Sequence, residues 1–148
     1  MALHLVRHGD AGTGPDEERP LTDGGRRQAG ALTDHLAARP VMRVLSSRYA
    51  RCVETVTPLA ERLGLPVEHH DALAEEADVE DTWALLESLT GDEVVLCSHG
   101  NLISPILDRV LRRGAEIVAE EWTCRKGSVW RLEPDGDQPF ARATLELL

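Results

Sequence analysis

The sequence is short of cysteine, lysine and long apolar runs, and each shortage excludes something. Cys52, Cys97 and Cys124 are an odd number without a C-x-x-C pair, which fits a reduced chain better than a disulfide framework. No apolar stretch approaches the ~20 residues of a membrane span. Met1 to Val6 is too short an apolar run before Arg7 to form the core of a secretory signal, so the expected location is cytoplasmic. Positive charge is scarce: 16 Lys and Arg stand against 26 Asp and Glu, a net charge of −10. Such an acidic surface repels polyanions, so neither a nucleic-acid polymer nor an anionic membrane is an expected partner. A phosphorylated partner has to be gripped locally. Lys126 is the single lysine among those cations, so the arginines are weighed by position rather than by number.

The signatures of several phosphate and acyl chemistries are also missing. A cysteine phosphatase needs Cys-x5-Arg, but Pro58, Ile103 and Trp130 stand sixth after the three cysteines. Gly12-Thr13-Gly14 lacks the following Gly-Lys-Ser/Thr of a Walker loop. Ser98 is no nucleophile elbow, because Leu96 stands where glycine is required. His69-His70-Asp71 invites a metal reading, but no second group of ligands supports it. No metal or cofactor is expected.

What remains, 148 residues with 42% apolar side chains, suits one compact domain spanning 1–148. Ala2 to Val6 reads as a buried strand that stops at Arg7-His8-Gly9. Thr22 is placed to cap a helix running to about Ala38, with Ala29, Leu32 and Leu36 forming its apolar stripe. Val41 to Leu45 is a second strand, closing on Ser46-Ser47. Helical period returns from Tyr49 to Leu63, and Gly64 suits its C′ position. Pro58 predicts a kink or an early end in that helix. A short strand at Val67 to His69 leads to a loop of crowded carboxylates, Asp71, Glu75, Glu76 and Asp78. A helix through Trp83, Leu86 and Leu89 follows. Val94-Val95-Leu96-Cys97 is the strongest strand signal, a continuous apolar run of the kind buried on both faces, and it ends at Ser98-His99-Gly100. A helix from Leu102 to Arg113 carries Pro105 in its opening turns, where proline costs least. Two late strands, Ser128 to Glu133 and Ala141 to Leu147, flank a turn at Pro134 to Asp137. Alternating strands and helices of this length imply an α/β fold, a mainly parallel sheet covered on both faces. Ligands of such sheets bind beyond the carboxyl ends of the strands.

Two predicted strands end there in the same dipeptide, His8-Gly9 and His99-Gly100. If the strands are neighbours, both imidazoles reach one crevice, and the glycines let the backbone turn and approach a ligand closely. Arg7 adds a cation with a bidentate fork, and Arg51 aims another from the start of the following helix. Two arginines and two histidines around backbone N–H groups form a pocket for a tetrahedral dianion such as a phosphoryl group. A neutral imidazole nitrogen beside fixed positive charge is a competent nucleophile toward phosphorus. The leaving group then needs a proton from a carboxyl group. Glu75 is the preferred candidate, because it follows a strand into the same crevice; Glu76 and Asp10 are the alternatives. For a nucleotide substrate, Tyr49, Trp122 or Trp130 is the candidate wall for a base. Trp83 and Trp130 also fit plain core packing.

These residues carry a family resemblance. Leu5-Val6-Arg7-His8-Gly9, Ser46 to Arg51, Leu73 to Glu75 and Val95 to Gly100 together resemble the successive motifs of the histidine phosphatase (phosphoglycerate mutase-like) superfamily, over nearly the whole chain. The resemblance implies a three-layer α/β/α fold. It also implies that His8 is the phosphorylated nucleophile, that Arg7, Arg51 and His99 bind the phosphoryl group with Gly100 beside it, and that Glu75 is the proton donor. Arg7 to Ala11 with Arg19-Pro20-Leu21-Thr22 resembles short phosphohistidine phosphatases of the SixA kind. Cys52 to Thr55, Pro58 to Ala60 and Lys126 to Trp130 look instead like the phosphatase half of actinobacterial Nudix fusions, which implies nucleotide substrates. Arg48 stands where the family often has proline and adds a cation to a rim expected to include Arg19 and Asn101. No Gly-x-Trp-Glu-Gly segment follows Glu75. The expectation is a metal-independent phosphatase acting on a phosphorylated protein, with a nucleotide or small phosphorylated metabolite as the alternative substrate. The expected assembly is a monomer or weak homodimer. The rival from another class is a binding module that holds a phosphorylated partner without turnover.

Overall fold

The computed structural model describes residues 1–148. Its strands are β1 (Leu3–Arg7), β2 (Arg43–Ser46), β3 (Val67–His69), β4 (Val94–Ser98), β5 (Glu116–Val118), β6 (Val129–Asp135) and β7 (Gln138–Glu146). The helices are α1 (Asp23–Leu36), α2 (Ala50–Leu63), α3 (Val79–Ser88) and α4 (Gly100–Arg112). One seven-stranded sheet runs in the order β3-β2-β4-β1-β6-β7-β5. Strands β3, β2, β4 and β1 pair in parallel, whereas β6 pairs antiparallel with both β1 and β7.

The alternation of side chains along the central strands builds two cores, one on each face. On one face Leu3, Leu5, Val94 and Leu96 pack with Trp83 and Leu86 of α3 and Ile103, Ile106 and Leu107 of α4. On the other, Val6, Val95 and Cys97 pack with Leu32 and Leu36 of α1 and Cys52, Val56 and Leu59 of α2. Every residue of β4 is buried, which is why its sequence is apolar without a period of two. The three-layer α/β/α architecture is thus observed, with a mixed sheet whose parallel half lies under the helices.

Local signals place most boundaries. The Thr22 hydroxyl accepts the Gly25 N–H at 3.1 Å and caps α1. Gly64 takes φ 68° at the end of α2, a conformation that favours glycine. Of the kink or early end expected at Pro58, the early end does not occur: α2 runs on to Leu63. Proline there removes one backbone donor, and the burial of Cys52, Val56, Leu59 and Ala60 on either side of it holds the helix to the sheet. Helix α4 starts two residues earlier than expected, so Pro105 lies deeper than its first turn. Strand β5, three residues with adjacent apolar Ile117 and Val118, is too short to show a period of two in its sequence. No helix is long and apolar enough to cross a membrane.

At the opposite end of the sheet from the two His-Gly dipeptides, a buried polar knot ties β1 to β4. Glu93 accepts from His4 Nε2 at 2.7 Å, from Arg39 Nε at 2.9 Å and from the Ala2 N–H at 2.9 Å.

Candidate active site

The register of the central strands assembles the site. Arg7 lies opposite Ser98 in the β1–β4 pair, and Ser46 lies opposite Cys97 in the β2–β4 pair. The chain therefore leaves three adjacent parallel strands at nearly one level, and His8, Ser47 and His99 are the first residues beyond them. The rings of His8 and His99 stand 5.4 Å apart in an edge-on arrangement.

Around them is a cavity of about 360 Å³ lined by Arg7, His8, Ala11, Arg19, Arg51, Glu75, His99, Gly100, Asn101 and Lys126. The structure thus brings together His8, His99, Arg7, Arg51, Glu75 and Gly100, with Arg19 and Asn101 at the rim. Arg48 is not part of it. Its guanidinium is engaged by Glu17 at 2.7 Å and by Glu76. The two alternative acids are also elsewhere. Glu76 is bound by Arg48 and accepts from the Tyr49 hydroxyl at 2.8 Å, contacts that hold its carboxyl down at about 2. Asp10 accepts from the Thr22 hydroxyl at 2.8 Å and from Lys126 at 3.3 Å, and is likewise lowered. Glu75 is the one carboxylate that lines the cavity.

His8 is 6% exposed. Its Nδ1 lies 2.7 Å from the carbonyl oxygen of Gly9, an acceptor, so the ring proton sits on Nδ1 and Nε2 keeps its lone pair. Burial lowers its pKa to about 4, helped by the charges of Arg51, Arg7 and Lys126 and only partly offset by the Gly9 bond. Burial likewise lowers His99 to about 3, aided by His8 and Arg51. Both rings are neutral at pH 7.

Arg51, second residue of α2, is 2% exposed. Its Nη1 donates to the Asp16 carbonyl at 2.7 Å and its Nη2 to Glu75 Oε2 at 2.5 Å. Arg7 Nη1 donates to the Cys124 carbonyl at 2.7 Å. The Nε groups of both arginines are buried without a partner. One buried guanidinium group, Arg51, and one half-buried, Arg7, both incompletely satisfied beside neutral histidines and the first turn of α4, suit an anion by their electrostatics.

The glycines work differently from expectation. A Cβ on Gly100 would stand 3.1 Å from Cζ and Nε of Arg7, so this glycine admits the arginine side chain. A Cβ on Gly9 would stand 3.0 Å from the Gly25 carbonyl oxygen, so that one admits the start of α1 rather than a ligand.

Other residues of the site had weaker signals or none. Thr55 accepts the Gly9 N–H at 2.9 Å and so fixes the turn after His8 to α2. Asp16 meets Arg51 through its main chain, which no side-chain pattern encodes. Lys126 enters from a loop whose Gly127 N–H donates to the carbonyls of Arg7 and His8; its place in the Lys126 to Trp130 motif was the available signal. Asn101 donates to the Glu75 carbonyl at 2.8 Å, and Ser98 to that of Leu73 at 2.7 Å, so two side chains pin the segment that carries Glu75. The aromatic residues considered as a wall for a base do not line the cavity. Trp130 is fully buried, and Trp122 packs against it, outside the site.

Two arginines, two neutral histidines and one carboxylate gather at the carboxyl ends of parallel strands, a set whose charge and geometry suit a phosphoryl group. Residues 3–83 match the histidine phosphatase superfamily (branch 1), and the chain belongs to that superfamily. It is 33% identical over 144 residues to an 8-oxo-(d)GTP phosphatase of Mycolicibacterium smegmatis, an alignment that covers 90% of this chain and 44% of the relative. The chain thus spans less than half the length of that curated relative. Among solved structures it shares the fold of the protein histidine phosphatase SixA complexed with tungstate, with a TM-score of 0.77 and 24% identity over 99% of this chain and 95% of that one. It shares it also with a mycobacterial glucosyl-3-phosphoglycerate phosphatase in complex with VO3, at a TM-score of 0.73 and 20% identity over 99% and 98% of the two chains.

Proposed function

We propose that the protein is a metal-independent phosphatase that works as a single catalytic domain through a covalent phosphohistidine on His8. The observation that carries this reading is the bare Nε2 of His8, neutral and buried in a pocket lined by Arg7, Arg19, Arg51 and Lys126. In the first half-reaction Nε2 attacks phosphorus as the bond to the leaving atom breaks. Glu75 gives its proton to that atom. Arg7, Arg51 and the N–H groups at the start of α4 take the charge on the phosphoryl oxygens. In the second, water attacks phosphorus, Glu75 takes the proton that water loses, and the P–N bond breaks to return neutral His8 and inorganic phosphate.

A phosphohistidine side chain on a partner protein is the substrate we favour. The cavity is polar, with Ala11 its sole apolar residue and no aromatic wall, which suits a phosphorylated side chain presented from outside better than a base needing a stacking surface. A nucleotide is the second reading, supported by the relative named an 8-oxo-(d)GTP phosphatase.

The test is inorganic phosphate release by wild type and His8→Ala on a phosphohistidine carrier protein and on nucleoside mono- and diphosphates. Release from the carrier, lost in the variant, is expected. Release from nucleotides alone shifts the substrate to the second reading. Full activity in a folded His8→Ala protein overturns the mechanism, and phosphate binding without release makes the chain a binding module.

A further inference from the structure

The residue that completes the phosphoryl pocket without touching it is Ser47. It is fully buried, one residue beyond the end of β2, and its hydroxyl oxygen lies 2.9 Å from Nε2 of His99. The same oxygen accepts the Tyr49 N–H at 3.3 Å. His99 is neutral and carries one ring proton, so the Ser47 bond has two possible directions, and hydrogen-bond accounting separates them.

Were the ring proton on Nε2, it would go to the Ser47 oxygen or to Cys52 Sγ, 3.6 Å away, and the Ser47 oxygen would still accept the Tyr49 N–H. Its own hydrogen would then be left without an acceptor in a site that water does not reach. With the hydroxyl donating to Nε2, the serine hydrogen, the Tyr49 N–H and the Nε2 lone pair are all satisfied at once. The ring proton then sits on Nδ1, on the edge that faces Arg51 Nη2 at 3.5 Å. Two donors are then turned toward one volume of the pocket, an arrangement that a phosphoryl oxygen relieves. Nη2 can only donate: one of its hydrogens goes to Glu75 at 2.5 Å, and the other reaches Nδ1 only at 3.5 Å, the outer limit of a hydrogen bond, so it sets the ring's tautomer less firmly than the Ser47 bond at 2.9 Å.

We infer that Ser47 is a positioning residue that fixes the proton of His99 on Nδ1 and so makes this neutral histidine a hydrogen-bond donor to the phosphoryl group. The two histidines then carry their protons on the same nitrogen but turn opposite edges to the pocket. His8 is held by the Gly9 carbonyl to show a lone pair, and His99 by Ser47 to show an N–H. The inference deepens the phosphatase reading and rests on it for its consequence, although the position of the proton is a property of the free protein.

The experiment is a long-range proton–nitrogen NMR correlation at pH 7 on protein labelled with 15N-histidine, with the ring assigned by its loss in His99→Gln. The expected wild-type pattern is a protonated Nδ1 and an unprotonated Nε2 for His99. In Ser47→Ala that pattern inverts or becomes mixed, and kcat/KM falls about five- to tenfold, roughly the worth of one neutral hydrogen bond to the phosphoryl group. Ser47→Thr, which keeps the hydroxyl, restores both. A wild-type His99 protonated on Nε2 overturns the inference whether or not any variant folds. So does an unchanged pattern in Ser47→Ala. Absence of phosphate release with the expected NMR pattern counts against the phosphatase reading alone.

Discussion

Arg51 and Glu75 are 2.5 Å apart, and the carboxylate occupies part of the guanidinium that a phosphoryl group would use. On the proposed mechanism, a dianion entering the site would compete with Glu75 for Arg51. Glu75→Gln is expected to separate binding from turnover. Inorganic phosphate or tungstate binds several-fold more tightly, because no carboxylate competes for Arg51. Turnover of an alkyl phosphate falls about 10²-fold, the usual size of a general-acid effect, and that of an activated aryl phosphate falls less. Calorimetry and steady-state rates on the two esters decide it. Affinity and both rates falling together would make Glu75 a structural partner of Arg51 only.

The histidines give a second prediction. With His8 lowered to about 4 and His99 to about 3 by burial and neighbouring cations, neither titrates between pH 5 and 8. Activity lost near pH 6 then arises elsewhere. In the unfolded chain both rings take protons below about 6.5, whereas the folded protein refuses them until about 4 and 3. Their burial thus costs stability progressively as pH falls from 6.5 through that range, and costs nothing above it. An NMR titration showing a His8 midpoint near 6.5 would contradict this.

Two glycines near the site should fail differently. Gly100→Ala places a methyl group against the Arg7 guanidinium, so phosphate affinity drops with little change in melting temperature. Gly25→Ala drives one into the Asp10 carbonyl oxygen, a backbone atom. This overpacking is expected to cost about 2 kcal/mol of stability. Phosphate titration beside thermal melts of the two variants tells them apart. Equal melting losses would show that Arg7 is locked by packing rather than by the space Gly100 leaves.

Far from the chemistry, Glu93 is buried. Burial raises its pKa, but the bonds from His4, Arg39 and the Ala2 amide outweigh that and hold it at about 2. Glu93→Ala strands the His4 Nε2 hydrogen and the Ala2 N–H in the interior and should cost about 3 kcal/mol, the worth of two buried donors left unsatisfied. In the wild type this contribution is complete above the unfolded value of about 4.5 and is lost as pH falls toward 2. The variant's melts should accordingly converge on those of the wild type in strong acid. Its kcat is expected to be unchanged; a large fall would mean that the knot reaches the site through β1 and β4.

Most of this architecture was legible because burial and turn chemistry leave local marks. The apolar run of β4, the Thr22 cap and Gly64 each encode one boundary, and the repeated His-Gly dipeptide marks two strands ending in one crevice. What was not legible depends on partners distant in sequence. Arg48 reads as a free rim cation until Glu17 and Glu76 are found on it. Asp16 acts through a carbonyl oxygen, and Ser47 through the direction of one hydrogen. Pro58 carries a local penalty, but packing against the sheet keeps α2 running to Leu63.

The common level at which β1, β2 and β4 end has a consequence for how such a protein can change over time. Side chains alternate along a strand, so losing one residue from β1 or β4 would turn His8 or His99 to the other face and erase the site at a stroke. The segments carrying Arg19, Glu75 and Lys126 are under no such rule. A change of length is therefore expected to be tolerated in those segments before it is tolerated in β1 or β4.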